Sequence, residues 1–197
     1  AIGAGIPIAE AAGNMILDIG GGSAETAVIA LGGVVVHKSV RVGGTKLDEA
    51  IVDFARRNHG LIMGDQTAEL VKIKIGSATK LQREESMSVK GRDTVTGLPR
   101  TITLTSGDVN QALAKPLSQI IGVVKAVLEE TPPELSSDII DRGIVMSGGT
   151  SLLRNLDALI TKEVGVPAYI AEDPLLCVVK GTGRAIENID TYRRALK

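Results

Sequence analysis

Apolar residues open the chain in three short runs, 14–18, 24–31 and 34–42, each of strand length and bounded by glycine. Runs of this kind predict β-strands, and Gly32-Gly33 predicts a two-residue hairpin turn between the second and third. The three together predict an antiparallel meander. After Gly43-Gly44-Thr45 the period changes, with Leu47, Ile51, Phe54 and Ala55 recurring at helical spacing. Thr45 is placed to cap this helix, and Asp48 and Glu49 fall in its first turn, where the dipole favours acids. A second helix is predicted over 65–75, with Leu70, Val71 and Ile73 on its buried face. Glu69 and Lys72 sit three apart on another face, the spacing of a solvated ion pair.

From Lys80 the pattern shortens again. Residues 85–89 and 100–104 read as strands, joined through Gly91 and Gly97-Leu98-Pro99. A long helix is predicted over 106–130, with a kink or break near Lys115 because Pro116 lacks an N–H. Thr131-Pro132-Pro133 ends it and leaves Pro132-Pro133-Glu134 as an exposed turn. A buried strand over 143–147 leads into Gly148-Gly149-Thr150 and a helix carrying Leu152, Leu153, Leu156, Leu159 and Ile160. A last strand over 166–171 and a helix from 174 to about 189 complete the pattern. A β-meander followed by β-α-β-α, interrupted by a helix-helix-hairpin insert over 47–106, is the order of an α/β, ribonuclease H-like domain with an inserted small α+β subdomain.

Composition narrows the function. Across 197 residues, 44% are apolar and only 2% aromatic, with no Trp, so aliphatic side chains must build the core and no aromatic platform exists for single-stranded nucleic acid. The net charge is −1 and basic residues form no block, which argues against nucleic acid and anionic membrane surfaces as partners. Cys177 is the sole cysteine and lies in an apolar stretch, as expected of a small core residue; His37 and His59 are isolated. A reducing, cytoplasmic setting is expected. The opening Ala1-Ile2-Gly3-Ala4-Gly5 has the look of a helix end and suggests a piece of a longer protein.

The candidate chemistry lies in glycine. Gly20-Gly21-Gly22 follows Asp18 at the end of the first strand, and Ser23 comes next. Such a turn can converge backbone N–H groups on a phosphate-sized anion, and the Asp18 carboxylate beside it suits a Mg²⁺ ion or its water. The same glycines also suit a tight turn or bulge, and the stretch alone leaves both readings open. It is neither a dinucleotide fingerprint nor a Walker P-loop, since the glycine spacing of each is lacking. Gly148 and Gly149 form a second cluster between strand and helix, where a ligand could lie against bare backbone, or where glycine permits close packing. Gly181 and Gly183 in the final helix are read as close helix packing.

The order of these motifs resembles the actin/sugar-kinase/heat-shock-chaperone ATPase superfamily. A strand ending in Asp18-Ile19-Gly20-Gly21-Gly22-Ser23 looks like its second phosphate motif. Ser147-Gly148-Gly149-Thr150-Ser151-Leu152-Leu153 looks like its adenosine motif, and Val178-Val179-Lys180-Gly181-Thr182-Gly183-Arg184-Ala185 like its second connecting motif. Within it the chain is more similar to the MreB family of bacterial actins. The stretches that carry this are Gly13 through Gly22, Leu47-Asp48-Glu49-Ala50-Ile51, Thr96-Gly97-Leu98-Pro99-Arg100, Thr131-Pro132-Pro133-Glu134-Leu135-Ser136-Ser137-Asp138-Ile139-Ile140 and Ala171-Glu172-Asp173-Pro174-Leu175.

The resemblance implies the C-terminal half of an actin-type ATPase, with 1–46 and 107–197 as subdomain IIA and 47–106 as subdomain IIB. It implies ATP and Mg as cofactors. Asp18 would hold the metal through water, Gly20, Gly21 and Gly22 would meet the β- and γ-phosphates, and Ser23 would stand near the attacking water. Glu69 and Lys72 would approach the ribose and base, and Gly148, Gly149 and Thr150 would form the adenosine side. Thr150 stands where the family usually has a third glycine, which implies crowding of the nucleotide, and Ala24 replaces a second Thr. The implied role is filament-forming self-association that directs rod shape and cell-wall synthesis. A RodZ-like membrane shape protein would be the partner, at the inner face of the membrane but without direct membrane contact from this half. The alternative is half of the ATPase domain of a heat-shock chaperone or of a division- or pilus-associated actin relative. Hydrolysis is expected of the parent and not of the isolated half.

Overall fold

The structure, a computed structural model, describes residues 1–189; the expected subdomain segment 190–197 lies outside the described residues. The three opening runs form β1 (Asn14–Ile19), β2 (Ala24–Ala30) and β3 (Gly33–Val40), an antiparallel meander as the pattern predicts. The hairpin turn between β2 and β3 is Leu31-Gly32 and not Gly32-Gly33. Ala30 pairs with Gly33, and both turn residues take positive φ, 52° and 71°, the geometry that matches strand twist. β7 (Ile144–Ser147) and β8 (Ala168–Ile170) add in parallel to give the sheet order β3-β2-β1-β7-β8.

Alternation along β1 sends Met15, Leu17 and Ile19 into the main core, while Ile16 lies on the other face with Ile8 and Ile29. Asp18 therefore shares the face of Ile16. The main core is closed by α3 (Ser106–Glu130), whose Val109, Leu113, Leu117, Ile120, Val124 and Val127 form one buried stripe. α3 starts on a capping box in which the Thr105 hydroxyl accepts from Asp108 N at 3.2 Å and the Asp108 carboxylate accepts from Thr105 N at 2.9 Å. The predicted break at Pro116 is absent, and the helix runs through it with Pro116 buried. Burial of the stripe on both sides of the proline outweighs one lost hydrogen bond.

Several local expectations are corrected. α1 (Gly44–His59) is capped at Gly43 without a side-chain bond, so Thr45 is not the cap and Asp48 and Glu49 lie beyond the first turn. α2 (Asp65–Ile75) buries Ala68, Val71 and Ile75, leaving Leu70 and Ile73 exposed. A second sheet, β4-β5-β6, contains a short strand the pattern does not announce, β4 (Leu61–Ile62). Gly91 lies inside β5 (Ser86–Asp93), not in the connection to β6 (Pro99–Thr105); a Cβ there would meet the Ile62 carbonyl oxygen at 2.3 Å. Pro132-Pro133-Glu134, although exposed, opens a helix, α4 (Pro133–Arg142), because proline suits the first helical position.

The helix expected after Gly149 is divided into a 3-10 turn (Gly149–Leu152) and α5 (Leu156–Val164), separated at Asn155 with φ 60°. α6 (Cys177–Glu187), with Cys177 and Ala185 buried, lies across a groove from the sheet face opposite α3. Close packing accounts for one of its glycines only: a Cβ at Gly181 would lie 3.0 Å from Gly3 N, whereas Gly183 has nothing within 4 Å. At the start of the chain, Ile6 N donates to Ala1 O (3.1 Å) and Gly5 N to Ile2 O (3.2 Å) with Gly5 at φ 75°, the bonds that close a helix end. Cys177 is buried, in keeping with a core thiol.

Candidate functional site

The two glycine clusters meet at the carboxyl ends of adjacent parallel strands. β1 and β7 pair in register from Met15 with Ile144 to Asp18 with Ser147, so their following turns emerge side by side. Gly148, at φ 84°, brings its turn hard against the end of β1, where a Cβ would lie 2.3 Å from the Ile19 carbonyl oxygen. Only glycine fits that position.

The 20–23 turn is held from three directions. Gly20 N donates to Ser23 O at 2.9 Å, closing the hairpin. Gly44 N donates to Gly20 O at 3.0 Å and Thr45 N to Gly21 O at 2.8 Å, so the start of α1 grips the same turn. Gly43 permits this approach, since a Cβ there would lie 2.5 Å from Gly20 O. The third grip is the Thr150 hydroxyl, which donates to Gly20 O at 2.9 Å. Thr150 is buried with its hydroxyl turned onto backbone. This bond joins the two glycine clusters.

This arrangement leaves the N–H groups of Gly21, Gly22 and Ser23 without a protein acceptor among the described residues. Gly21 and Gly22 are exposed, and the space where a Cβ would stand is open at Gly22. Three unpaired donors on a bare, exposed turn are available to an anion. Beside it, Asp18 accepts from the buried Ser147 hydroxyl at 2.7 Å through Oδ1, and its carboxylate faces the sheet side away from α3. That side opens into a groove of about 670 Å³ between β1–β3, α6 and residues 1–3, lined mainly by apolar residues and reached by Asp18 and Ser147.

Lys72 joins the same neighbourhood from α2. Its ammonium lies 2.8 Å from Asp48 Oδ1, donates to Asp48 Oδ2 at 3.0 Å and to Gly44 O at 3.3 Å. The expected ion pair with Glu69 does not form; Glu69 is exposed on α2 and Lys72 turns inward to α1. Burial, working against the attraction of Lys72, raises the Asp48 carboxyl above its ordinary value. Asp18, Gly20, Gly21, Gly22, Ser23, Gly148, Gly149 and Thr150 thus come together, with Lys72 one bond away through Gly44. Gly43, Gly44, Asp48 and Ser147 complete the arrangement and were not among the sequence candidates. The Gly43-Gly44 pair after β3 was the signal for the first two, while Asp48 and Ser147 were marked as members of stretches that carry the family resemblance.

A profile of the MreB/Mbl protein family matches residues 1–194. The cell shape-determining protein MreB of Escherichia coli (strain K12) is 50% identical over 192 residues, covering 98% of this chain and 55% of that protein. The cell shape-determining protein Mbl of Bacillus subtilis (strain 168) is 46% identical over 190 residues, covering 96% and 57%. The chain spans a little over half the length of these relatives. Among solved structures, MreB5 of Spiroplasma citri bound to AMPPNP superposes with a TM-score of 0.92 at 40% identity, covering 97% of this chain and 57% of that one. A MamK double helical filament, at 23% identity, shares the fold with a TM-score of 0.77, over 95% of this chain and 57% of that one.

Proposed function

The chain belongs to the MreB/Mbl family, and from that premise we propose that it is the C-terminal half of an ATP-binding, actin-like cytoskeletal protein. In this reading the parent polymerises and directs rod cell shape and cell-wall synthesis. The observation that carries the reading is the turn whose Gly21, Gly22 and Ser23 N–H groups have no protein acceptor among the described residues, placed beside Asp18 at the ends of two parallel strands. Open α/β sheets bind ligands at that edge. The sheet with its α3, α4, α5 and α6 is assigned to subdomain IIA, and 47–106 to subdomain IIB.

The residues present fit a nucleotide triphosphate with Mg²⁺. The unpaired donors of the 20–23 turn would hold the β- and γ-phosphates, and the Gly148-Gly149 turn would pass the adenosine without a side chain in the way. Glu69 and Lys72 would approach ribose and base. Asp18 is a hard oxygen ligand with one oxygen bonded to Ser147 and the other facing the groove, a fit to a metal-bound water. When bound, Mg²⁺ would neutralise charge on the phosphates. Ser147 fixes the Asp18 carboxylate, the backbone of 21–23 offers preorganised donors to phosphate oxygens, and Ser23 stands at the rim where its hydroxyl can orient water. AMPPNP and ADP in the Spiroplasma citri MreB5 structures support a nucleotide here.

Self-association is supported by the filament of MamK, whose fold is shared. A RodZ-like membrane shape protein is the proposed partner, with the protein at the inner face of the membrane. Among the described residues no helix is long and apolar enough to cross a membrane. With half the cleft on another lobe, the isolated chain is expected to bind ATP weakly and to hydrolyse almost none. Titration of the full-length parent with a fluorescent ATP analogue, followed by electron microscopy with ATP, tests the proposal. Binding and filaments are expected; a parent that neither binds the analogue nor assembles at high concentration would refute it.

A further inference from the structure

We infer that Thr150 is a positioning residue for the nucleotide: its hydroxyl latches the 148–150 turn to the 20–23 turn, so that both sides of the site hold one geometry. The inference rests on the nucleotide reading above and adds a role to a residue that the resemblance placed on the adenosine side as a source of crowding. The Thr150 hydroxyl spans two segments 130 residues apart, donating to Gly20 O at 2.9 Å, and the residue is only 8% exposed. That carbonyl already accepts from Gly44 N at 3.0 Å. With two donors on it, Gly20 O is unavailable to Ser23 N–H, its natural acceptor across the turn. The latch therefore also helps to leave the Ser23 donor free for an anion.

The surroundings are built for this contact. Gly44 carries no side chain at the point where a Cβ would stand 2.9 Å from the Thr150 hydroxyl and 3.5 Å from the Lys72 ammonium. Thr150 is itself fixed by the 3-10 turn, in which Ser151 Oγ donates to Gly148 O at 2.6 Å and Leu153 N to Thr150 O at 3.1 Å. Gly148 N in turn donates to Pro174 O at 2.9 Å, tying the turn to the segment before α6. A hydroxyl on so constrained a frame sets the position of Gly20, and through it the donors of 21–23, with little freedom of its own.

Thr150→Val keeps the shape and removes the donor, and Thr150→Ser keeps the donor. In the full-length parent, Thr150→Val is expected to weaken ATP binding about three- to tenfold, the range of one lost buried hydrogen bond. Affinity for inorganic triphosphate, which would use the 21–23 donors alone, should fall by the same factor, and Thr150→Ser should restore both. Hydrogen exchange at the Gly44 and Thr45 amides, which bond to the same turn, should quicken in the valine variant and not in the serine variant. A valine variant that retains ATP affinity, or loses ATP while retaining inorganic triphosphate, overturns the latch. Should valine prevent folding, Thr150→Gly removes the donor without adding bulk, and the same comparison of ATP with inorganic triphosphate decides. If the wild-type parent binds no ATP, the nucleotide reading fails, while the exchange comparison still accepts or rejects the latch.

Discussion

The ammonium of Lys72 sits between both oxygens of the Asp48 carboxylate, at 2.8 and 3.0 Å, with the two side chains 13% and 14% exposed. It is the least exposed ion pair among the described residues, and Lys72 also bonds Gly44 O at the start of α1, hence the Gly44 grip on the phosphate turn. Removing one partner leaves a shielded charge, which costs more than an exposed pair contributes. Asp48→Ala and Lys72→Met are each expected to lower unfolding stability by about 1–3 kcal/mol. The double variant should lose less than the sum. Urea denaturation of the four proteins measures the coupling, and full additivity would show that the contact contributes nothing.

The same pair sets a pH dependence with a definite sign. Because burial raises the Asp48 carboxyl above its unfolded value, the folded state holds this proton to higher pH than the unfolded state does. Its contribution to stability is therefore greatest in acid and declines as pH rises from the ordinary aspartate range, about 4, through the folded value. Asp48→Asn should flatten that part of the stability profile. A profile with unchanged slope in the asparagine variant would assign it to other groups.

Asp93 has the opposite sign. Its carboxylate accepts from the backbone of Thr96 and Val95 at 2.9 Å each, from Arg100 at 2.8 Å and from the Thr96 hydroxyl at 3.2 Å, which together hold it well below the usual carboxylate range. What it contributes to the β5–β6 hairpin tip is present above the unfolded value and lost as pH falls through the folded one. Asp93→Asn should accelerate exchange of the Val95 and Thr96 amides at neutral pH and abolish their further loss of protection in strong acid. Equal protection in variant and wild type would mean that the turn holds itself.

Much of this architecture was legible because glycine and strand-length apolar runs act locally. The meander, the long helix and both glycine turns follow from residues within a few positions of one another. What escaped is what depends on partners distant in sequence. α2 looked amphipathic about Leu70 and Ile73, but it packs through Ala68, Val71 and Ile75, where a small residue lets the helix approach. Gly91 looked like a loop residue because the strand that presses on it, β4, is too short to announce itself. Pro132-Pro133 read as a stop, although proline also starts helices. Lys72 had a carboxylate three positions away in Glu69, yet it bonds one 24 positions away, which no local spacing can reveal.

Two glycines provide opposite expectations. A Cβ at Gly43 would lie within 2.8 Å of the backbone of both Gly20 and Gly21, so Gly43→Ala must push α1 off the phosphate turn. A stability loss of about 1–3 kcal/mol is expected, with ATP binding weakened in the parent. Gly183 lies in exposed helix with open space around it, and Gly183→Ala should raise stability by about 0.5–1 kcal/mol. Thermal unfolding of both variants decides. A neutral Gly43→Ala would show that the turn and α1 separate without cost.

We propose that the exposed Glu172-Asp173 loop before α6 is a contact of this half with another filament subunit or with the RodZ-like partner. Glu172 and Asp173 are both exposed, but they differ in what holds them. Asp173 pairs with Lys180 one face down α6, and its carbonyl accepts from Leu176 N at 2.9 Å, so it helps to start the helix. Glu172 has no ion pair among the described residues and is the cleaner probe. Glu172→Lys should change stability by less than about 0.5 kcal/mol, as surface changes do, while altering filament assembly or partner affinity in the parent. Asp173→Lys sets like charges side by side at the head of α6 and should lose up to about 1 kcal/mol as well. Sedimentation of filaments and a titration with the partner's cytoplasmic domain separate the two effects. If Glu172→Lys assembles and binds as the wild type does, the loop lies outside both interfaces, and any defect of Asp173→Lys reports only on the helix it begins.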